Sequence, residues 1–434
     1  MVKLSLKNKE RSEESMKTVS VIGLGNRGTE YMGFLKAFHS KKVKIVALCD
    51  IKQQALDDFA PLFSIPEEKQ YLSTEAFFSQ GVISDALIIT TQDASHYEIT
   101  KAAIETGYKY ILLEKPVSGK ENEYKELRDL AEENGVLLII CHVLRYSNYY
   151  KKIKEIISKG IIGEIVSINH TENVGYFHFA HSFVRGNWKD EFLSTPSILA
   201  KCCHDIDLIA WFMNSPCISV SSVGGLRYFC KENAPKGATK TCMGGCKAKK
   251  DCPYDAESLY ITDPFYKAKF IKNMKRTLTG KLRNSKEDVT EAIKHGDYGK
   301  CVFLNDNNVC DHQMVTMTFE NGAVAVLNMN AFSDKMFREC HIVGTKGELV
   351  GYGAKLYLNV FGSAQKKIHT ATINATGHVE GDIRLISGFV KILCNETTDL
   401  TDITTIDATV ISHDIALAAE ESRKNGGKTV FLNN

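Results

Sequence analysis

Several things are missing from this sequence, and each absence excludes a class of protein. No apolar run approaches the roughly 18 residues of a membrane span. The amino terminus, MVKLSLKNKERSEESMK, is polar and has no apolar stretch of the kind that forms a secretory signal. Neither sign of charge dominates: 54 Lys and Arg against 52 Asp and Glu leave a net charge of +2. That balance gives no electrostatic reason to expect nucleic acid as a partner. No internal repeat is visible. Without an export signal, the 13 cysteines are expected as reduced thiols in a cytoplasmic protein rather than as a disulfide framework, some of them free to bind metal.

What is present suits two sizeable cores. The 434 residues, 44% hydrophobic and 24% charged, match an ordinary globular composition. Residues 1–16 are expected to be a disordered extension, because Met16 stands directly before the first strand-like run. That run, Val19-Ser20-Val21-Ile22, enters the turn Gly23-Leu24-Gly25-Asn26-Arg27-Gly28, which fits G-x-G-x-x-G. A helical segment and a buried strand ending at Asp50 follow. This is the βαβ arrangement that binds dinucleotides. The first glycine makes the tight turn, the second admits the pyrophosphate, and the third lets helix and strand pack closely. The helix start, with Asn26 and Arg27, then offers free N–H groups to phosphate. Asp50 stands where an acid accepts hydrogen bonds from ribose hydroxyls and repels a 2′-phosphate, so NAD is expected over NADP. Strands at 85–91, 110–113 and 136–140 alternate with helices at 96–106 and 121–134, which predicts a doubly wound parallel sheet.

At Glu114-Lys115-Pro116 the chain resembles the glucose–fructose oxidoreductase/inositol dehydrogenase/MocA family. The resemblance rests on the glycine turn, on Thr91 with Asp93 and His96, on the Glu-Lys-Pro triplet and on His204-Asp205-Ile206-Asp207, and it covers nearly all of the chain after residue 16. It implies a Rossmann domain, expected over 17–141, with Glu114 and Lys115 beside the cofactor. It also implies an α+β domain with a large, mostly antiparallel sheet, expected over 142–434. A lysine at the carboxyl edge of the first sheet can bond a substrate hydroxyl and help take its proton. The resemblance makes His204 the acid–base partner of Lys115. Many members carry an aspartate four residues before that histidine; here Ala200 stands there, with Lys201 beside it as a residue for substrate binding or for lowering a pKa. Asp207, three residues after His204, shares its helix side and is a further candidate for substrate binding.

Two more stretches carry chemistry. The aromatic run from Asn173 to Trp188 combines histidines with Arg185, which suits a polyhydroxylated ligand; His181 and Arg185 are its candidates, while His312 and His378 are weaker ones. An insertion at about 228–300 breaks the helix–strand pattern and contains TCMGGCKAKKDCPY. Cys242, Cys246 and Cys252, with Cys301 or alternatively Cys230 as the fourth thiolate, could wrap a structural Zn²⁺; an iron–sulfur cluster has the same ligand chemistry. Beyond it, alternating runs at 314–319 and 323–329 flank Asn321-Gly322 as a hairpin, and a last helix is expected at about 408–424.

The expectation from all of this is an NAD-dependent oxidoreductase acting on a sugar, sugar acid, cyclitol or glycoside, working as a dimer or tetramer. Two alternatives stay open: a redox-neutral glycosidase or epimerase that oxidises its substrate transiently, and a non-catalytic protein that responds to NAD(H).

Overall fold

The computed structural model describes residues 16–262, 269–370, 378–401 and 403–432; the expected extension before Met16 lies outside them. The first half alternates strand and helix. Strands β1 (Lys17–Ile22), β2 (Val43–Cys49), β3 (Gln70–Tyr71), β4 (Ala86–Ile89), β5 (Tyr110–Leu113) and β6 (Leu137–Ile140) form a parallel sheet in the order β3-β2-β1-β4-β5-β6. The helices between them are α1 (Asn26–His39), α2 (Gln53–Phe63), α3 (Thr74–Phe78), α4 (His96–Thr106) and α5 (Glu121–Glu133). Helices cover both faces, so the central strands are apolar throughout: Ala86, Leu87, Ile88 and Ile89 are all fully buried.

The second half is built on a nine-stranded sheet. In chain order its parts are α6 (Asn148–Ser158), β7 (Ile165–Asn173), α7 (Tyr176–Phe179), α8 (Ser197–Met213), β8 (Cys217–Gly225), α9 (Lys269–Thr279), α10 (Lys286–His295), β9 (His312–Phe319), β10 (Val324–Asn330), β11 (Phe337–Gly344), β12 (Gly347–Tyr352), β13 (Lys355–Val360), β14 (Lys366–Ile368), α11 (Val379–Leu393), α12 (Ile406–Lys424) and β15 (Val430–Phe431). The strand order is β14-β13-β12-β11-β7-β10-β9-β8-β15, and only β10 and β7 run parallel. Here alternation is the rule. In β9, Val315, Met317 and Phe319 are buried while Met314 and Thr316 face outward, the signature of a sheet covered on one side. Helices α8 and α12 pack against each other and against this inner face.

The C-terminal helices also return to the first sheet. Leu385, Ile386, Phe389 and Val390 of α11 join the core on one side of it, and Ile406 and Val410 of α12 join the other. The insertion is more ordered than its sequence pattern predicts. Ser285 caps α10 in a reciprocal box with Asp288, and Ala256, Leu259, Tyr260, Met274, Val289 and Ile293 form a small separate core. Strand β7 also went unread, because IVSINHTEN carries polar residues on its buried side: His170, Glu172 and Asn173 are all buried.

Candidate functional site

Each glycine of the first turn has a distinct surrounding. Gly23 has φ of +92°, a conformation that favours glycine, and a Cβ there would stand 2.7 Å from the carbonyl of Thr90. At Gly28 a Cβ would lie 2.1 Å from the Gly23 carbonyl oxygen, so only glycine lets α1 start this close to β1. Gly25 is different: a Cβ there meets nothing within 4 Å, leaving the backbone open to an approaching phosphate. No side chain caps the start of α1. Asp50 closes the turn from β2. Its carboxylate accepts from the Leu24 amide at 2.7 Å and from the Lys52 amide at 2.9 Å. These features fit the pyrophosphate and ribose of a dinucleotide.

The other residues expected beside the cofactor mostly brace the turns. Arg27 donates to Glu114 at 2.8 Å and to Asp382 of α11 at 2.5 Å, and Tyr31 donates to the same Glu114 oxygen at 2.5 Å. Burial alone would raise the Glu114 carboxyl, but the charges of Arg27 and Lys115 outweigh it and hold the pKa below its ordinary value. The His96 ring lies 2.6 Å from the Pro116 carbonyl through Nδ1 and 3.2 Å from the Thr91 carbonyl through Nε2. It therefore ties the glutamate–lysine–proline turn, whose Lys115–Pro116 bond is cis, to the end of β4. Asp93 reaches the second domain, accepting from the Trp188 indole at 2.7 Å and from Thr195 at 3.2 Å. Asn26 bonds α9, through Thr277 at 3.1 Å.

Lys115 and His204 meet on α8. The Lys115 ammonium donates to the Ala200 carbonyl at 3.0 Å, one helical turn before His204. Where many relatives are expected to carry an aspartate side chain, the backbone itself accepts the lysine. His204 is buried, and among the described residues neither ring nitrogen has a hydrogen-bond partner. Burial first, then the charge of Lys115 and the neighbouring His378 and His142, holds its pKa well below 6.5. The ring centroids lie 5.0 Å from His378 and 5.7 Å from His142. Donor atoms of His142, Cys203 and His204 all fall within 4.8 Å of one another.

His142 was not anticipated, although it sits just past the carboxyl end of β6, where ligand-binding side chains of open α/β sheets gather. His178 was passed over within the aromatic run. Burial, then Lys201, His181 and Lys115, pushes its pKa well down, so it lies among the site's cations. Lys201 pairs with Glu172 at 3.0 Å, and Arg338 joins Glu172 to Asp205 at 2.8 and 2.7 Å.

Three expected substrate ligands are engaged elsewhere. The Asp207 carboxylate is buried in a two-pronged pair with Arg145, both bonds 2.6 Å; the carboxylate that spacing put beside His204 instead fastens α8 to the turn after β6. His181 bonds the Tyr260 hydroxyl at 2.9 Å and stacks on Tyr298 at 4.6 Å. Arg185 donates to the carbonyls of Lys300 at 2.7 Å and Tyr254 at 2.8 Å. Both point into the insertion, whose contacts the aromatic pattern alone could not reveal. His312 is partly exposed beside Asp311 at 2.8 Å.

Comparison with known proteins agrees with this geometry. Residues 17–142 match the family model described as "Oxidoreductase family, NAD-binding Rossmann fold", and residues 154–432 match "Oxidoreductase family, C-terminal alpha/beta domain". The chain belongs to the glucose–fructose oxidoreductase/inositol dehydrogenase/MocA family. It is 27% identical over 194 residues to scyllo-inositol 2-dehydrogenase (NADP(+)) of Bacillus subtilis, covering 44% of this chain and 49% of the relative. The chain thus spans about half the length of the curated relatives it matches. An inositol dehydrogenase homologue from Azotobacter vinelandii in complex with NAD+ superposes with a TM-score of 0.68 at 15% identity, covering 96% of this chain and 97% of that one. An Agrobacterium radiobacter oxidoreductase bound to NAD+, L-tartaric acid and magnesium gives 0.67 at 15% identity, covering 96% and 98%. At these identities the likeness concerns the fold. Among the described residues no helix is long and apolar enough to cross a membrane.

Proposed function

We propose that this chain is an NAD-dependent dehydrogenase that oxidises a secondary alcohol of a sugar, sugar acid, cyclitol or glycoside. The observation that carries the reading is His204, buried with both ring nitrogens unpaired on the helix turn that also receives Lys115. A buried polar group without a partner is costly, and a substrate hydroxyl would supply the missing bond. Bound NAD would accept the hydride from the alcohol carbon. Lys115 then holds the hydroxyl oxygen and stabilises its developing negative charge. His204, neutral at working pH because burial keeps its pKa low, takes the hydroxyl proton. The His142 and His378 rings stand 5.7 and 5.0 Å from His204, and His178 and Lys201 lie near each other and Lys115, so further donors and acceptors surround the reacting pair. Asp50 at the end of β2 supports NAD over NADP, since a carboxylate there repels a 2′-phosphate.

The test is absorbance at the NADH band with stoichiometric enzyme, NAD and a panel of sugars, polyols and glycosides. Growth of the band with one compound, lost in Lys115→Ala with NAD binding retained, is the expected result. An undiminished Lys115→Ala enzyme would overturn the assignment.

One observation favours a second reading. Helix α9 lies on the glycine turn, with Arg276 donating to the Leu24 carbonyl and, at 2.6 Å, to Thr29. A cofactor kept in place by such a helix suits a redox-neutral cycle, in which the hydride returns to the substrate after chemistry beside the transient ketone. A changed product with no net NADH would identify that cycle.

A further inference from the structure

The insertion brings four cysteines distant in sequence to one place. Cys242, Cys246, Cys252 and Cys301 all line a single small cavity, together with Arg185 and Asp255, and all four are free thiols. Cys301 is pinned beside the others by paired backbone: the Cys301 amide donates to Lys240 at 2.9 Å, the Cys242 amide to Gly299 at 2.8 Å, and Thr241 bridges Lys300. Cys230 is elsewhere, its thiol directed at the Arg227 and Tyr228 carbonyls.

We propose that Cys242, Cys246, Cys252 and Cys301 ligate an iron–sulfur cluster rather than a single tetrahedral ion. Spacing decides between the two. Four thiolates on one Zn²⁺ at about 2.3 Å must stand within about 4 Å of one another. Among the described residues, however, the group of three potential ligands with donor atoms mutually within 4.8 Å is His142, Cys203 and His204, and no three of these four sulfurs meet that limit. The thiolates of a cluster each bind at a corner of a larger body and so stand farther apart.

The surroundings suit an anionic cluster. One Arg185 nitrogen donates to the Cys242 sulfur at 3.5 Å. The side chain is only 1% exposed; its Nη1 meets no hydrogen-bond partner at ordinary geometry among the described residues, although the guanidinium also acts on the Tyr260 hydroxyl. A buried guanidinium with an unused donor at the cavity wall calls for negative charge there. The amides of Ala256 and Tyr254 bond the sulfurs of Cys242 and Cys252, the kind of contact that tunes such centres. The cluster's role is structural: it ties the 242–252 segment to Cys301, between which α9 and α10 are strung. No electron transfer is invoked.

The experiment is anaerobic purification of the full chain followed by assay of iron, acid-labile sulfide and zinc, with visible absorbance. Iron and sulfide in equal amounts, with a broad visible band, are expected. Cys246→Ser and Cys301→Ser should lose the band, while Cys230→Ser should keep it. Stoichiometric zinc in a colourless protein would overturn the proposal, as would iron retained in a Cys246→Ser/Cys301→Ser double variant. Should the variants fail to fold, chelator-stripped wild-type protein decides. Return of the visible band with ferric iron, a thiol reductant and sulfide supports the cluster, and recovery of a protease-resistant insertion with zinc alone refutes it.

Discussion

At the scale of single residues, the centre of the molecule is unusual for its neutral histidines. Burial pushes His181 and His413 down to about 3 from an ordinary 6.5, and it lowers His142, His178, His204 and His378 as well, and His39 nearer the surface. The sign of the consequence is fixed. These rings bind fewer protons folded than unfolded below the ordinary 6.5, for His181 and His413 down to about 3, so their contribution is fully present above 6.5 and is lost as the pH falls. Each such ring costs up to about 1.4 kcal/mol per pH unit below 6.5. His170 acts oppositely: against its burial, Asp205 and Cys340 raise it to about 10, and its contribution persists in acid and fades as the pH rises through 10. Seven rings against one predict that the melting temperature falls steadily from about pH 7 to about pH 5, a trend that a pH series of thermal melts would show. His204 allows a sharper check. Because its nitrogens are unpaired, His204→Leu should leave the melting temperature unchanged or raised. Turnover should drop by about 10²–10⁴-fold, the usual share of a positioned acid–base group. A collapsed melting temperature would mean that the ring serves packing instead.

Among the elements, α9 has the contact that reaches farthest. Arg276 joins the Leu24 carbonyl and Thr29, and its guanidinium lies 4.6 Å over the Phe59 ring. Helix α9 thereby belongs to the insertion by sequence and to the cofactor turn by contact. Arg276→Ala should therefore speed NAD release and weaken its binding by about 10- to 100-fold, in line with roughly 1.5–3 kcal/mol for a charged hydrogen bond. Stopped-flow displacement of bound NADH measures this directly, and an unchanged release rate would separate α9 from cofactor retention. Nothing in the sequence announced that contact. Local signals made the parallel sheet legible: apolar runs of four to six residues, the glycine turn, and helices such as 96–106, which the structure reproduces residue for residue. That Lys115 lies beside the helix turn of His204 was expected only because a resemblance supplied their pairing. The protein partners of Asp207, His181 and Arg185 were hidden from the sequence for one physical reason. Their partners Arg145, Tyr260 and Lys300 lie 62, 79 and 115 residues away, and spacing along a helix or within an aromatic run carries no information about contacts that distant.

For the whole molecule, the outer face of the nine-stranded sheet is the open question, and its pattern is specific. Helices α8 and α12 cover the inner face, leaving outward positions bare. Val223 and Met314 sit directly opposite each other on β8 and β9 and are 59% and 49% exposed, with Val324 of β10 at 45%. Covering the cross-strand pair Val223–Met314 gains roughly 25 cal/mol per Å², with Val324 set apart from it opposite Thr318. A second copy of the same face offers the matching surface, since a two-fold pairing is self-complementary. The chain should therefore run as a dimer or tetramer in sedimentation. Val223→Glu with Met314→Glu places two like charges across adjacent strands on that face and should release protomers. Because both side chains are exposed within one protomer, the melting temperature of the dissociated chain should report only the lost association, and NAD affinity at the far end of the first sheet should stay unchanged. A wild-type chain that sediments as a monomer at micromolar concentration would show that this face has another use, and the double variant would then leave the mass as it was.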